Sequence, residues 1–251
     1  MTANVKSIQD ELKNELLAYH SERGLSHLGS CLSSLDILTS LFWGPLKEED
    51  HFILSKGHAA SLLYLILNKK GLLSDQDLQE SCRDGSLYGA HPPFHPPQKH
   101  PWWGFGSGSL GYGIGLGCGV ALAKRMKNDL SHVYALVSEG DLNEGSSWES
   151  LHFAARHQLK NLTVLFDHNQ VQALGNSSDI FPLHHLPTTL EHLGWDVHHQ
   201  EGHDLTKIDF NTVSTEKPRF FIFSTQKNQG LENLFSPIEA HYKWPNKVGL
   251  P

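Results

Sequence analysis

Acidic and amide side chains come directly after two apolar runs of this chain. The run HVYALVS leads to Glu139, Asp141 and Glu144, and the run NLTVLFD leads to Asn169. A hard divalent cation prefers oxygen ligands, so a carboxylate after one strand and an amide oxygen after the next could hold magnesium against a diphosphate. The alternative is that the acidic residues form a solvated surface turn.

Two further features belong to the same candidate site. The segment from Gly104 to Gly119 is rich in glycine, which lets backbone N–H groups approach phosphate oxygens at a helix N-terminus, unless these glycines only allow close packing. A third apolar run, HFILS, leads to Lys56, Gly57 and His58. In an open parallel sheet, ligands bind beyond the carboxyl ends of the strands, where all these residues are expected.

The spacing of apolar residues predicts the elements that position this site. HVYALVS and NLTVLFD are nearly continuous apolar runs separated by a helical pattern, which predicts a βαβ unit in a parallel sheet buried on both faces. HFILS, WDVHHQE and RFFIFST predict further strands. Helical spacing occurs over residues 5–17, in AASLLYLILNKKG and after the glycine-rich turn, while SSLDILTSLFWG predicts a helix with Ser33 or Ser34 as N-cap that ends at Gly44. The expected fold is α/β, with helices on both faces of a mostly parallel sheet.

Composition limits the classes of protein and partner. A chain of 251 residues with 39% hydrophobic content predicts one domain over 1–251. The 20 basic and 27 acidic residues offer no basic excess for nucleic acid. The first twenty residues contain neither a secretory signal nor a span for a membrane, so we expect no membrane partner and a cytoplasmic location. Cys31, Cys82 and Cys118 form no CxxC pair, which fits reduced thiols.

Residues 82–108 form a long segment rich in glycine, proline and histidine in which no element is predicted. A loop of this length in a compact domain is usually functional. Its stretch AHPPFHPPQKHPWW contains His91, His95 and His100, which raises the alternative of a histidine metal site. Repeated proline favours an extended loop instead, and no second cluster of ligands follows.

Five segments resemble, in the same order, the amino-terminal thiamine diphosphate-binding domain of transketolase. They cover nearly the whole chain and read SHLGSCLSSLDILTSLFW, HFILSKGHAASLLY, GSGSLGYGIGLGCGVALA, VSEGDLNEGSSWE and LFDHNQVQALG. The resemblance implies the thiamine diphosphate-binding fold, with thiamine diphosphate and Mg²⁺ as cofactors.

The resemblance also implies a set of metal ligands. The family's Gly-Asp-Gly motif and its later Asn correspond here to a motif with Glu139 at its centre and to Asn169, and 30 residues separate the two. Glu139, the Asn169 side chain and the Val171 carbonyl would therefore bind magnesium. Glu139 is one methylene longer than the family's Asp, and Ser138 replaces a Gly. We therefore expect a retained but displaced metal site, to which Asp141 also contributes as a ligand.

The resemblance implies cofactor contacts at several other positions. Gly140 would let the backbone meet the diphosphate, Gly108 and Leu110 belong to the turn at the aminopyrimidine ring, and Glu144 matches an acidic residue of the dimer interface near the cofactor. The full set of implied cofactor-binding residues is His58, Gly108, Ser109, Leu110, Gly140, Asp141, Glu144 and Asn169.

Four histidines correspond to catalytic histidines of the family. His27, His58 and His91 would line the channel to the thiazolium ring and hydrogen-bond or move protons at substrate hydroxyls, and His241 resembles the last such residue, near the diphosphate. One extra residue precedes His91, so His95 is an alternative for that position. Outside such motifs, a lone loop histidine is more often bonded to a backbone carbonyl than catalytic.

Transketolase chemistry also needs a second domain, which follows the first in the family. Because the chain ends at Pro251, it is either a fragment or the amino-terminal subunit of a split enzyme. The start at Met1 and the polar end KWPNKVGLP favour the split form, so we expect a subunit that is inactive alone and joins a separate carboxyl-terminal subunit in an α2β2 heterotetramer. The implied reaction transfers a two-carbon unit from a ketose, a ketose phosphate or a 2-keto acid to an aldehyde or ketone, for example in the biosynthesis of unusual sugars or natural products. The alternatives are transfer of an acetyl unit derived from pyruvate, a non-catalytic binding subunit, and a histidine-rich metal-binding protein.

Overall fold

The computed structural model describes residues 3–94, 100–210 and 216–245. The strands in these ranges are β1 (His51–Leu54), β2 (Val133–Ser138), β3 (Leu162–His168), β4 (Val171–Gln172), β5 (Gly175–Asn176), β6 (Asp196–Glu201) and β7 (Arg219–Ser224). The helices are α1 (Ala3–Arg23), α2 (Leu28–Phe42), α3 (Ala60–Lys69), α4 (Asp75–Glu80), α5 (Gly113–Met126), α6 (Glu139–Leu142), α7 (Gly145–Arg156), α8 (Ser177–Ile180), α9 (Leu186–Leu193) and α10 (Glu239–Tyr242), and a 3-10 turn covers Gly57–Ala59. No helix in the described ranges has the length and apolar character needed to cross a membrane.

The main sheet is parallel throughout. Its strand order is β1-β2-β3-β7-β6, and a small antiparallel hairpin of β4 and β5 follows β3. Leu136 of β2 lies opposite Leu54 of β1 on one side and Leu165 of β3 on the other. The carboxyl ends of β1, β2, β3 and β7 therefore meet at one edge of the sheet, which confirms the predicted parallel arrangement and the strand ends at which polar residues were expected.

Helices cover both faces of the sheet, as predicted. Leu136 and Phe221 belong to the core that is shared with α1, α2 and α3, whereas Val137 and Ile222 belong to the core that is shared with α5, α7 and α9. Because successive residues of a strand point to opposite faces, a strand buried on both sides needs a continuous apolar run. This requirement explains the sequences of β2, β3 and β7.

The second helix begins earlier than the sequence predicts, so the predicted N-cap at Ser33 or Ser34 was wrong. Helix α2 starts at Leu28, after His27 in the left-handed conformation with φ of 66°. The hydroxyls of Ser33 and Ser34 donate to Asp167 at 2.6 and 3.0 Å. Their acceptor lies on β3, more than a hundred residues later in the chain, so local sequence could not reveal why two serines stand inside the helix.

Aromatic contacts hold the long loop against the domain. Residues 82–94 and 100–108 contain neither helix nor strand, in agreement with the sequence. Tyr88 stacks on Trp103 with ring centroids 5.5 Å apart, and the Tyr64 hydroxyl donates to the His91 carbonyl at 3.0 Å. The loop is thus packed through side chains, and its part around His91 is bonded to α3 through Tyr64.

A buried ion pair lies beneath the carboxyl edge of the sheet. Lys56, directly after β1, pairs with Asp167 of β3, and both side chains are fully buried. Burial alone would raise the pKa of the Asp167 carboxyl, but the Lys56 ammonium and the hydroxyl donors hold this pKa below its usual range. Besides the two serines of α2, the Thr225 hydroxyl after β7 donates to Asp167. The pair therefore connects α2 with the ends of β1, β3 and β7.

Replacement of Asp167 by Asn tests this connection. We expect Asp167→Asn to lower the free energy of unfolding by about 3–5 kcal/mol, because it leaves the Lys56 ammonium buried without its counter-charge. Chemical denaturation followed by circular dichroism measures the change. Glu216→Gln is the matched control, since Glu216 pairs with Lys160 at 2.7 Å on the surface, and loss of an exposed pair costs at most about 1 kcal/mol. Equal effects of the two substitutions would contradict an anchoring role.

The double variant Lys56→Met/Asp167→Leu separates the pair from its surroundings. Because both charges are removed together, we expect it to recover much of the stability that Asp167→Asn loses. A double variant as unstable as Asp167→Asn would show that the hydroxyl network, rather than the ion pair, carries the effect.

Candidate active site

A cleft of about 340 Å³ opens at the carboxyl ends of β1, β2, β3 and β7. Its walls are formed by His27, Ser30, Lys56, His58, His91, Gly108, Leu110, Ser138, Glu139, Gly140, Asn169, Val171, Gln172, Ala173, Leu174, Lys227 and His241. All sequence-predicted site residues except Ser109, Asp141 and Glu144 are in this set. The fold thus brings together residues from distant segments at the edge where the strand ends meet.

Asp141 lies beneath the cleft instead of in it. Its side chain is fully buried, and its carboxylate accepts hydrogen bonds from the Ser55 hydroxyl at 2.5 Å, the Gly111 N–H at 2.9 Å and the Ser138 N–H at 2.8 Å. These bonds join the turn after β1 and the glycine-rich turn to the start of α6. The expectation that Asp141 shares metal or cofactor binding therefore needs correction, because both of its oxygens accept hydrogen bonds from the protein and the residue does not line the cleft.

Ser109 and Glu144 lie outside the cleft wall on exposed positions. Ser109 lines a neighbouring apolar cleft, together with Phe105 and Tyr112. Glu144 precedes α7 and packs against Gly111, where an added Cβ atom would come within 2.5 Å of the Glu144 Cβ. Neither residue lines the active-site cleft, so the structure does not place them with the other predicted cofactor-binding residues.

His27, His58 and His241 form a group at the inner end of the cleft. The ring centroid of His27 is 5.2 Å from that of His58 and 4.6 Å from that of His241. The His27 N–H also donates to the His241 carbonyl at 2.8 Å, which ties the start of α2 to α10.

The three imidazoles of this group are neutral at pH 7. Burial, with smaller contributions from neighbouring positive charges, lowers the pKa of His27 to about 4 and that of His241 to about 3. Burial and the nearby Lys56 hold the pKa of His58 well below its usual range. A neutral imidazole can accept a hydrogen bond at one ring nitrogen and donate at the other, as proton transfer at a substrate hydroxyl requires.

His91 stands at the mouth of the cleft. Its residue is exposed, and an added Cβ atom on Gly108 would lie 3.7 Å from the His91 ring. The alternative at this position, His95, lies outside the described residues. Within the described ranges, which omit residues 95–99 of this loop, no group of three or more His, Cys, Asp or Glu side chains is arranged to hold a metal ion.

The Glu139 carboxylate bends toward the turn after β3. It accepts a hydrogen bond from the Gln170 N–H at 2.6 Å and lies 3.3 Å from Nδ1 of His168. A carboxylate one methylene longer than the family's Asp can reach that turn. Its second oxygen makes no such bond to Gln170, and the residue borders the cleft at the end of β2.

Asn169 and Val171 supply the other oxygens that the resemblance assigns to a metal. Asn169 Oδ1 accepts from the Val171 N–H at 3.1 Å, and the Val171 carbonyl accepts from Lys227 Nζ at 2.8 Å. Burial and the nearby Lys56 lower the pKa of Lys227 to about 8. A carboxylate, an amide oxygen and a carbonyl border one cleft, which is the type of donor set that a hard cation takes.

Unpartnered polar atoms show that the cleft suits an anionic, polar ligand. His27 Nδ1, His241 Nδ1, Ser30 Oγ and Gln172 Nε2 are all buried without a hydrogen-bond partner in the described part of the chain. An added Cβ atom on Gly140 would lie 2.6 Å from Leu110 Cδ1, so a larger residue there would require the Leu110 side chain to move. With Lys227 nearby, these groups fit a cofactor that carries a diphosphate next to a divalent cation.

Sequence reasoning did not assign Ser30, Gln172 and Lys227 to the site. Lys227 could have been found, because it closely follows the apolar run RFFIFST. Lys56 was selected for the same reason, since ligands bind beyond the carboxyl ends of parallel strands. Ser30 and Gln172 carry no comparable signal, since their importance rests on atoms left unpartnered by the tertiary structure.

Comparison with known proteins identifies the family. A family model described as transketolase, thiamine diphosphate binding domain, matches residues 26–231. The chain belongs to the transketolase family. The expected thiamine diphosphate-binding fold and transferase class are therefore confirmed at the level of the family.

Individual transketolases agree with this assignment. The chain is 32% identical to one subunit of the apulose-4-phosphate transketolase of Actinobacillus succinogenes, over 87% of this chain and 83% of that protein. It is 29% identical to the 6-deoxy-6-sulfo-D-fructose transketolase subunit SqwG of a Clostridium species, with the same coverage of 87% and 83%. The transketolase structure from Campylobacter jejuni superimposes with a TM-score of 0.82 at 27% identity, and the match covers 96% of this chain and 40% of that one.

The protonation states of the histidine group can be measured directly. We expect the imidazole signals of His27 and His241 to keep their neutral-form shifts from pH of about 8 to about 5, since both pKa values lie at or below about 4. NMR titration of the side-chain carbon-bound protons measures this, with assignments from His27→Gln and His241→Gln. Because the unfolded chain takes up these protons near the ordinary pKa of 6.5, stability should fall as pH decreases from there toward the folded values. Midpoints near 6.5 in the folded protein would contradict the burial argument.

Proposed function

We propose that the chain is the amino-terminal subunit of a two-component transketolase that binds thiamine diphosphate with Mg²⁺. This proposal rests mainly on one observation, namely that Glu139 and Asn169 line the same cleft as the neutral histidines His27, His58 and His241. The reaction would transfer a two-carbon unit from a ketose or ketose phosphate to an aldehyde acceptor. Support for two components comes from the relatives, because the match covers 83% of the Actinobacillus succinogenes subunit but about 40% of a transketolase chain such as that of Campylobacter jejuni.

The bound cofactor would supply the electron sink for carbon–carbon cleavage. The chain's own residues would hold it at its diphosphate end. Glu139, Asn169 Oδ1 and the Val171 carbonyl would bind the cation, and the Gly140 backbone would approach the diphosphate. Because Lys227 Nζ donates to the Val171 carbonyl in the structure, it would leave that oxygen to the cation and turn to the diphosphate, whose remaining negative charge it would offset. Since Lys56 is already paired with Asp167, Lys227 is the better placed of these two lysines to bind an anion.

The histidines would act on the hydroxyl groups of the donor sugar. His27 and His241 each have a buried Nδ1 without a partner in the described residues, so each can form a new hydrogen bond inside the cleft. Being neutral, they could accept the proton of a donor hydroxyl during cleavage and return one to the acceptor. His58 would contact the cofactor beside them, and His91, at the mouth, would meet the substrate as it enters.

We also propose that residues 1–251 form one cofactor-binding domain that pairs with a separate carboxyl-terminal subunit, as an α2β2 heterotetramer. An apolar cleft of about 580 Å³, lined among others by Phe105, Tyr112 and Leu116, adjoins the active-site cleft through Gly108. Tyr112 is 61% exposed, and an exposed apolar surface beside an active site is typical of an interface. Binding of a partner there would bring its residues toward Ser109.

The names of the relatives suggest the class of substrate. They refer to apulose 4-phosphate and 6-deoxy-6-sulfo-D-fructose, which are unusual sugars with an anionic group. We infer a similar class of ketose donors or products for this protein. Acetyl transfer from pyruvate has no comparable support among these relatives.

Calorimetric titration of thiamine diphosphate with Mg²⁺ tests cofactor binding. The titration should be made into the chain alone and into its mixture with a transketolase-like carboxyl-terminal subunit, and we expect binding mainly in the mixture. Asn169→Ala should weaken it at least about tenfold, because an oxygen ligand of the cation is lost. Asn176→Ala, at an exposed position of the β4–β5 hairpin, is the matched control. A well-assembled pair that binds no cofactor at any magnesium concentration would replace this proposal with a non-catalytic binding subunit.

Donor dependence tests the reaction itself. With the assembled pair, we expect two-carbon transfer from ketose phosphates to aldehydes, followed by mass spectrometry of the lengthened sugar. His27→Ala should lower kcat/KM by about 10²–10⁴-fold, because it removes a proton-transferring group, whereas His152→Ala on the exposed side of α7 should not. Product formation from pyruvate with release of carbon dioxide, and none from ketoses, would indicate acetyl transfer instead.

A further inference from the structure

Two carboxamide side chains at the cleft have no role in the proposal above. Asn143 follows α6 and Gln172 ends β4, and Asn143 Nδ2 donates to Gln172 Oε1 at 2.9 Å. The remaining polar atoms of the pair, Gln172 Nε2 and Asn143 Oδ1, are buried and make no hydrogen bond to any described residue. One bond of the pair is thus used inside the protein, and a donor is left over on Gln172.

An unpartnered amide group inside a protein is costly unless a ligand or water completes its bonding. Gln172 lines the active-site cleft, so a ligand bound there can supply the partner that its Nε2 lacks. Since the Oε1 atom is held by Asn143, Nε2 must point away from that bond. The arrangement presents a neutral N–H donor whose direction is set by a neighbouring side chain.

The position of this donor indicates what it binds. An added Cβ atom on Gly140 would lie 3.9 Å from Gln172 Oε1, so the carboxamide is beside the glycine at which the backbone is open to the cleft. Gln172 also follows Val171 directly, and Asn143 stands one turn after Glu139. Both carboxamides therefore belong to the two segments that supply the oxygens for the cation.

We propose that Gln172 is a further cofactor-binding residue of this protein and that Asn143 is its positioning residue. Gln172 Nε2 donates a hydrogen bond to an oxygen of the cofactor's diphosphate, and the bond from Asn143 to Oε1 keeps Nε2, instead of the carbonyl oxygen, turned to the anion. This inference rests on the proposed function. Lys227 adds charge at the same end of the cleft, while Gln172 adds a directed donor without adding charge.

Titration of the assembled pair of subunits with thiamine diphosphate, in excess Mg²⁺, tests the role of Gln172. Gln172→Ala should weaken binding about tenfold, because hydrogen bonds to charged acceptors contribute more than neutral ones. Gln172→Glu, which is nearly isosteric, should weaken it further, since a carboxylate has no donor and repels the diphosphate. Inorganic diphosphate with Mg²⁺ should show the same order of losses if the bond goes to the diphosphate end.

Gln158→Asn is the matched control for these substitutions. Gln158 is exposed and has φ of 48°, a conformation that Asn tolerates better than most residues. We expect its affinity for the cofactor to equal that of the unchanged protein. Because Gln172→Glu preserves the size of the side chain, it keeps the test valid if Gln172→Ala fails to fold.

Asn143→Leu tests the positioning role without adding charge beside the diphosphate. Because it removes the donor to Gln172 Oε1, the carboxamide of Gln172 can turn and is no longer held with Nε2 toward the ligand. We expect a smaller loss of affinity than that of Gln172→Ala, and no additional loss in the double variant Asn143→Leu/Gln172→Ala. Additive losses would overturn the positioning role, because they would show that Asn143 acts independently of Gln172.

The outcomes separate this inference from the proposed function. If Asn169→Ala abolishes cofactor binding while Gln172→Ala and Gln172→Glu bind normally, the proposed function stands and the role of Gln172 is refuted. Tighter binding by Gln172→Glu would also refute it, since the residue would then serve the cation. If the unchanged pair binds no thiamine diphosphate, both proposals fail together.

Discussion

The buried ion pair between Lys56 and Asp167 is the interaction on which the cleft depends. Strand β2 separates β1 from β3, so no backbone ladder joins the ends of these two strands, and the pair joins them through side chains. Such a pair persists in a low-dielectric interior only when further hydrogen bonds complete it, and here hydroxyls from α2 and from the segment after β7 do so. Two residues beyond its members stand His58 and Asn169, which both line the cleft.

The distribution of charge in the cleft depends on the ion pair between Lys56 and Asp167. Asp167 pairs with Lys56, whereas Lys227 donates to a neutral carbonyl and interacts with the Glu139 and Asp167 carboxylates only at longer range. Positive charge and burial together keep the histidine group neutral. Although the chain carries a formal net charge of −7, this local arrangement favours an anion accompanied by a cation.

Much of the architecture could be predicted because it depends on local patterns. Continuous apolar runs predicted β1, β2, β3 and β7. Lys56, Glu139 and Asn169 were then selected because they follow such runs, where ligands bind in a parallel sheet. The start of α2 could not be predicted, since Ser33 looks like an N-cap until its partner on β3 is known. Ser30 was missed for a related reason, because only the folded chain shows that its hydroxyl has been left without a partner.

The sequence by itself determined the α/β class, the parallel arrangement of the buried strands and the segments that form the active-site edge. These features depend on hydrophobic periodicity and turn residues, which are patterns within a few consecutive residues. Only the tertiary structure decided which polar atoms remain free for a ligand. Glu139 and Asp141 are two carboxylates of one turn. Asp141 accepts hydrogen bonds from Ser55 and Gly111, which are 86 and 30 residues away, whereas Glu139 borders the cleft. Hydrogen bonds between such distant residues exist only once the chain has folded, so the difference between ligand and support is a property of the fold.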